Sequence, residues 1–184
     1  MAGFINQVNR NQGTTFSSYD ELYDWSVSEL AAFWSEFWVY AGIIASQPYE
    51  QVIDDPTKMP GAEWFRGTRL NFAENLMRHR DEKIALIFRG EDKVRRTLSY
   101  GELYREVAKV ATALRRAGVT VGDRVVGFMP NMPESVIAML GATAIGAIWS
   151  SCSPDFGIKG VLDRFGQTRP KVLFTADGYY FKGK

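Results

Sequence analysis

The sequence predicts an α/β protein in which a helical N-terminal cap is followed by the first part of a mostly parallel sheet flanked by helices. Three observations carry this reading. Short β-rich apolar runs at 125–129, 147–150 and 172–175 alternate with two helical patterns, and that alternation argues βαβαβ with parallel pairing. The body of the first helix, Val136-Ile137-Ala138-Met139-Leu140, is apolar on nearly every side, so it is expected to be buried on more than one face. Punctuation agrees: Asn131 is the expected cap, with Pro133 in the first turn, Glu134 three residues past the cap and Gly146 beyond the end. The second pattern sets Ile158, Val161, Leu162 and Phe165 at i, i+3, i+4, i+7 behind an expected cap at Asp155, and Pro170 stops it.

From the N-terminus, residues 1–16 are polar, rich in Asn, Gln and Gly and without period, and are expected to be a mobile arm. Residues 17–79 read as a helical segment with a wrapping loop. Ser18 with Glu21, and Ser26 with Glu29, have capping-box spacing and predict helices near 19–25 and 27–40. The second carries Leu30, Phe33, Trp34, Phe37 and Trp38, and so much aromatic surface calls for cover. Anchoring a helical layer is the expected use of these rings, ahead of an exposed ligand platform. Residues 42–69 hold Pro48, Pro56, Pro60, Gly61 and Gly67 and predict a wrapping loop or linker. Asn71 and Glu74 then cap a helix to about His79.

From residue 80 the sheet domain begins. Residues 84–89 and 93–98 predict a hairpin across Gly90-Glu91-Asp92, with Lys93, Arg95 and Arg96 on the solvent face of a peripheral strand. Ser99 and Glu102 cap the next helix, which buries Leu103, Val107, Val110, Ala111 and Leu114 before Gly118 ends it.

Composition excludes several function classes. Lys plus Arg number 22 against 21 for Asp plus Glu, a net charge of +1, so no field exists to attract nucleic acid or an anionic membrane. The longest nearly apolar stretch, 136–149, is too short for a bilayer, and the first residues lack the charged and apolar regions of a signal peptide. A single cysteine, Cys152, permits no internal disulfide, and a soluble, cytoplasmic protein is expected. One histidine and one cysteine cannot build a zinc site. No G-x-x-x-x-G-K-[ST] loop occurs, no G-x-G-x-x-G follows a strand, and the turn Pro130-Asn131-Met132-Pro133 leaves little bare backbone N–H for a pyrophosphate. His79, between Arg78 and Arg80, reads as a solvated helix-end residue. Cys152, among Ser150, Ser151 and Ser153, reads as a buried, inert thiol, and the hydroxyls have no base nearby in sequence. One stretch invites a phosphate: Lys182 and Lys184 flank Gly183 beyond the carboxyl end of the last strand, where α/β sheets bind ligands. Two solvated lysines in a tail is an equal reading of those residues.

Trp64-Phe65-Arg66-Gly67-Thr68-Arg69-Leu70-Asn71-Phe72-Ala73-Glu74-Asn75-Leu76, then Gly122-Asp123-Arg124-Val125-Val126-Gly127, then Ile145-Gly146-Ala147-Ile148-Trp149-Ser150-Ser151 resemble the N-terminal part of the acyl-CoA synthetases of the adenylate-forming superfamily. The segment SSCSPDFGIKGVLDRFGQTRPKVLF is most similar to their acetoacetate-activating branch; acetate-activating members are glycine-rich where this chain has Ser153-Pro154-Asp155-Phe156-Gly157. The resemblance implies an acid–thiol ligase that joins acetoacetate to ATP as an acyl-adenylate and passes the acyl group to CoA, with Mg2+. It further implies that 17–79 is an N-terminal segment of acetyl-CoA-synthetase type and that 80–184 is the truncated first part of the AMP-binding domain. The triphosphate loop and the adenylate-stabilising lysine of such enzymes lie further along the chain. These residues alone are therefore expected to be inactive, to bind none of the cofactors tightly and to supply neither catalytic residues nor metal ligands. An unpaired sheet edge leaves self-association open. Lys184 matches an arginine with which relatives hold the 3′-phosphate of CoA; Phe181 stands at the other, and Lys182 is placed to compensate. Asp155 and Phe156 fall beside the family's CoA-binding turn. Two alternatives stay open: another short-chain acyl-CoA synthetase, or a non-catalytic interaction module built on the aromatic helix.

Overall fold

The expected mobile arm is a helix, α1 (Ala2–Gln12). In the computed structural model, which describes residues 1–183, Phe4, Ile5 and Val8 are buried with Leu22, and Phe16, Trp25 and Phe33 pack around them. The polar residues that hide this stripe in the sequence have a partner of their own. Gln7, Asn11 and Gln12 donate side-chain N–H bonds of 3.0, 2.9 and 2.8 Å to the buried carboxylate of Glu36. Burial alone would raise the pKa of Glu36, but the three amide donors outweigh it and hold the carboxyl below its ordinary value. Gly13, at φ +69°, closes the helix in the left-handed conformation that glycine adopts freely.

This first unit, Met1–Leu70, continues with α2 (Tyr19–Ser28), opened by the expected capping box of Ser18 and Glu21. The second expected box does not form. The Ser26 hydroxyl donates to the Tyr23 carbonyl at 2.7 Å, a bond to the preceding turn that keeps Ser26 inside α2, and α3 (Leu30–Ala41) starts after Glu29 without a side-chain cap. Rings on α3 find ring partners: Trp34 meets Trp64 edge-on at 5.9 Å between centroids, and Trp38 meets Tyr49 at 5.2 Å and Phe65 at 4.8 Å. The expected loop at 42–69 holds two short antiparallel ladders. One pairs β1 (Ala45–Gln47) with β4 (Arg69–Leu70), and the other pairs β2 (Gln51–Ile53) with β3 (Trp64–Arg66).

The second unit begins at Asn71. Asn71 caps α4 (Phe72–Leu76) by accepting from the Glu74 N–H at 3.0 Å, and its own amide donates to the Thr143 carbonyl at 3.0 Å. Ala73 and Met77 are buried with Leu98, Leu103, Val107, Ile137 and Leu140, which is why the boundary precedes α4. The hairpin follows as β5 (Ile84–Gly90) and β6 (Val94–Ser99), antiparallel, and the Ser99–Glu102 box opens α5 (Tyr100–Arg116). Next come β7 (Arg124–Phe128), α6 (Pro133–Ala144), β8 (Ile148–Cys152), α7 (Ile158–Thr168) and β9 (Val172–Thr175). The three strands form a parallel sheet in the order β8-β7-β9.

The sheet buries its two faces unequally. On one side Val125 packs with Ala111, Leu114, Ala142, Ile145 and Ala147 from the α5 and α6 layer. On the other, Val126 meets Cys152 and Phe165 of α7. Of the stripe expected on α7, Phe165 is buried, whereas Ile158 and Leu162 are 82% and 65% exposed. A three-stranded sheet leaves the outer part of that helix uncovered among the described residues. Helices α5 and α6 cross closely at Gly141, where a Cβ atom would stand 2.6 Å from Val110 Cγ1.

The Gly122-Asp123-Arg124 motif is structural. Asp123 accepts from the Thr120 N–H, the Thr120 hydroxyl and the Lys171 ammonium at 2.7, 2.8 and 2.7 Å. Arg124 donates to the Thr168 and Arg169 carbonyls at 2.7 and 3.1 Å. Together they lash the entry to β7 onto the entry to β9. Two expected caps are replaced. α6 starts from Met132 with no side-chain cap, because Pro133 at N1 needs no N–H partner, and α7 starts from Gly157 because Asp155 is engaged elsewhere.

Candidate functional site

Parallel strands whose crossovers lie on opposite faces leave a crevice at their carboxyl ends. Here that crevice is a cavity of about 510 Å³, enclosed by the segments after β7, β8 and β9 and by the β5–β6 turn. Its walls carry the rings of Phe88, Tyr179, Tyr180 and Phe181 beside Pro130, Met132 and Pro154, with polar groups from Asn131, Ser153 and Asp155.

Asp155 organises the wall. Its Oδ1 accepts from the Tyr179 hydroxyl at 3.1 Å and its Oδ2 from the Ser153 hydroxyl at 3.0 Å, while Ser153 Oγ accepts from the Asp155 N–H at 3.2 Å. The carboxylate thus joins the loop after β8 to the tail after β9. Burial, together with the bond to Asp155, pushes the Tyr179 hydroxyl above its ordinary range, so it stays a hydrogen-bond donor at neutral pH.

Cations around the cavity are already engaged. Arg96 pairs with Glu134 at 2.6 Å and Arg89 with Asp92 at 3.0 Å. The second carboxylate oxygen of Glu134 is buried without a hydrogen-bond partner among the described residues. The N–H groups of Lys182 and Gly183 both donate to the Glu91 carboxylate, at 2.6 and 2.7 Å, and the Lys182 ammonium lies 5.1 Å from the centre of the Phe181 ring.

Of the residues singled out in the sequence, the structure brings Asp155 and Phe181 together around the cavity, beside Tyr179 and Tyr180. Lys182 stands at its edge, through its backbone and through Phe181. Phe156 turns away to α7, where the Arg164 guanidinium lies 4.0 Å from its ring centre. Lys184 lies outside the described residues. Glu91 and Glu134 are site residues that the sequence does not mark. Tyr179 joins the site through a bond to Asp155 that spans 24 residues, and no local pattern marks it.

The other candidates stand apart. Cys152 is buried, and desolvation pushes its thiol up from the usual range, with Arg164 offsetting part of that effect, so it is an inert core thiol. The His79 ring packs edge-on against Tyr100 at 5.9 Å. Among the described residues there is no group of three or more His, Cys, Asp or Glu side chains able to hold a metal, and no helix long and apolar enough to cross a membrane.

Comparison with known proteins places the chain. The AMP-binding enzyme family model matches residues 72–183, and the model of the acetyl-coenzyme A synthetase N-terminus matches residues 19–76. Acetoacetyl-coenzyme A synthetase of Rhizobium meliloti is 49% identical over 184 residues, covering 100% of this chain and 28% of that protein. Acetoacetyl-CoA synthetase of Xenopus tropicalis is 47% identical over 187 residues with the same coverage. The solved acetoacetyl-CoA synthetase from Streptomyces lividans superposes with a TM-score of 0.91 at 43% identity, over 99% of this chain and 29% of that one. The chain therefore spans little more than a quarter of the length of the relatives it matches. With one family model covering more than half of its residues and the α/β architecture in agreement, the chain belongs to the AMP-binding enzyme family.

Proposed function

We propose that the chain is the N-terminal part of an acetoacetate–CoA ligase. In the whole enzyme the acetoacetate carboxylate attacks the α-phosphorus of ATP, giving the acyl-adenylate and pyrophosphate. The CoA thiol then attacks the acyl carbon and AMP leaves. The observation that carries this reading is the end-to-end likeness to acetoacetyl-CoA synthetases in both sequence and backbone.

The described residues offer no metal cluster, and the sequence has no glycine-rich phosphate loop, so no step involving ATP or Mg2+ is assigned to them. Their share is the CoA side. The cavity at the strand ends takes part of CoA, with Asp155 and Tyr179 fixing its wall, Lys182 serving the 3′-phosphate and Phe156 bracing the turn against Arg164; Lys184, outside the described residues, is supported only by its match to the family's arginine. Alone, the 184 residues form neither adenylate nor thioester. Their partners are small molecules, acetoacetate, ATP and CoA, in a cytoplasmic setting without nucleic acid or membrane. The exposed outer strands and the open face of α7 support self-association of the isolated chain, which sedimentation at several concentrations tests; a monomer throughout removes that part.

A second acid has one observation in its favour: a malonamoyl-CoA synthetase of Penicillium aethiopicum is 36% identical over 191 residues. Pyrophosphate exchange by the longer polypeptide that begins with these residues separates the readings. The proposal expects acetoacetate to support exchange well above acetate or malonamate. Exchange with acetate or malonamate in preference to acetoacetate would reject it.

A further inference from the structure

Of the aspartates and asparagines in the sequence, only Asp177 is followed by glycine. That pairing matters because the amide nitrogen of the next residue can attack the aspartyl side chain, and a Cβ on that residue hinders the five-membered ring that forms. Asp177 lies at a bend between Thr175, the last residue of β9, and Tyr179, and both Asp177 and Gly178 are exposed. Neither the Asp177 carboxylate nor the Gly178 N–H has a hydrogen-bond partner among the described residues, and a Cβ at Gly178 would meet nothing within 4 Å. Electrophile and nucleophile are thus adjacent and uncommitted, with no packing to resist the backbone rotation that closes the ring. The other aspartates lack these conditions. Asp155 is bonded to Tyr179 and Ser153 and precedes Phe156, and Asp123 is bonded to Thr120 and Lys171 and precedes Arg124. Asp55 precedes Pro56, which has no N–H, and Asp20, Asp24 and Asp163 are fixed inside helices.

We propose that Asp177 and Gly178 form a self-modification site, at which the folded chain converts aspartate to isoaspartate through a succinimide. The Gly178 nitrogen attacks Asp177 Cγ, a C–N bond forms, and the hydroxyl of the carboxylic acid leaves with the amide proton as water. A second water opens the imide at either carbonyl. Opening at the side-chain carbonyl restores aspartate. Opening at the main-chain carbonyl routes the backbone through Cβ and Cγ, adds one methylene to it and leaves the α-carboxylate as the side group. The position of that extra methylene gives it an effect. Thr175 is held by its ladder partner Phe128, and Tyr179 by the bond of its hydroxyl to Asp155 at 3.1 Å, so the longer linkage is absorbed between them. One exposed hydrogen bond yields before a strand ladder does, and its loss detaches the tail after β9 from the loop after β8. The wall of the cavity therefore loosens as the chain ages, whatever ligand the cavity takes.

The 184-residue chain is aged under native conditions, digested with trypsin and followed by mass spectrometry on the 172–182 peptide, which Lys171 and Lys182 delimit. Loss of one water marks the succinimide. Isoaspartate keeps the parent mass and is scored by methyl transfer from S-adenosylmethionine, catalysed by an isoaspartyl methyltransferase. A segment whose opening costs almost nothing reacts as a free peptide does, so the rate in the folded chain should lie within about tenfold of that in synthetic 172–182 peptide. Peptides carrying Asp155 and Asp163 are internal controls and should stay unchanged. Gly178→Ala, whose added methyl meets nothing within 4 Å, should keep the fold and lose most of the product. A slower rate than that range, equal product at Asp155 or Asp163, or undiminished product in Gly178→Ala overturns the proposal. Amide hydrogen exchange then reads the effect on the wall: the aged wild type should exchange faster than fresh protein over 179–183, and aged Gly178→Ala should not. Isoaspartate without faster exchange upholds the modification site and removes its effect on the cavity.

Discussion

Replacing Gly141 by alanine puts a methyl group 2.6 Å from Val110 Cγ1 and 2.9 Å from Val110 Cβ, across the closest approach of α5 and α6. Alanine improves helix propensity by about 1 kcal/mol over glycine, while overpacking a dense core costs about 1–3 kcal/mol. Since Val110 Cβ is fixed to its backbone and cannot swing aside, the clash takes the upper part of that range, and the net loss is about 1–2 kcal/mol. Gly166 supplies the contrast. It lies in α7, and a methyl group there would meet nothing within 4 Å, so Gly166→Ala should gain about 0.5–1 kcal/mol. The two substitutions are chemically identical, and packing alone separates them. Urea unfolding followed by 19F NMR of 5-fluorotryptophan isolates the second unit, because Trp149 is its only tryptophan. In a Val110→Ala background Gly141→Ala should become nearly harmless, a coupling of about 1–2 kcal/mol. A Gly141→Ala protein as stable as the parent would refute the close-crossing argument.

Two predictions concern carboxylates. The Lys171 ammonium and the Thr120 N–H and hydroxyl lower the Asp123 pKa to about 2. A depressed folded-state pKa contributes stability above the ordinary carboxylate value and loses it as pH falls through the folded one. Asp123→Asn should therefore remove the part of the acid destabilisation that falls between about pH 4 and pH 2, read from unfolding midpoints across that range. Glu36→Gln leaves amide donors of α1 facing another amide and should cost about 1–3 kcal/mol at neutral pH. The Glu36 pKa is likewise lowered, so the difference from wild type should shrink below pH 4.5, where the reference carboxyl protonates. A difference unchanged at pH 3 would show that the three amides do not favour the charged form.

What was legible in the sequence follows from how locally each feature is encoded. The βαβαβ unit was readable because 125–129, 147–150 and 172–175 are apolar runs bounded by turn residues, and β9 falls on 172–175 as read. The Ser18 and Ser99 boxes were readable because both partners lie within one turn. α1 was not, because Phe4, Ile5 and Val8 are few among Asn and Gln, and those polar residues become favourable only against Glu36, which lies 24–29 residues away from its donors. Asp155 and Ser26 have the right chemistry for caps but find better partners, Tyr179 and Ser153 for the first and the Tyr23 carbonyl for the second. At the candidate site the family pattern raised the expectation for Asp155 and Lys182, whereas Glu91 is brought there only by tertiary structure and carries no local signal.

The most direct test of the central claim is a graft. These 184 residues replace the matching 28% of the Rhizobium meliloti synthetase, and acetoacetate-dependent AMP release is measured with and without CoA, beside the isolated chain. The account expects the folded hybrid to release AMP with acetoacetate and CoA, and the isolated chain to release none. Turnover by the isolated chain, or a folded hybrid that adenylates acetoacetate but does not pass it to CoA, would contradict the assignment of these residues to the CoA side of such a ligase.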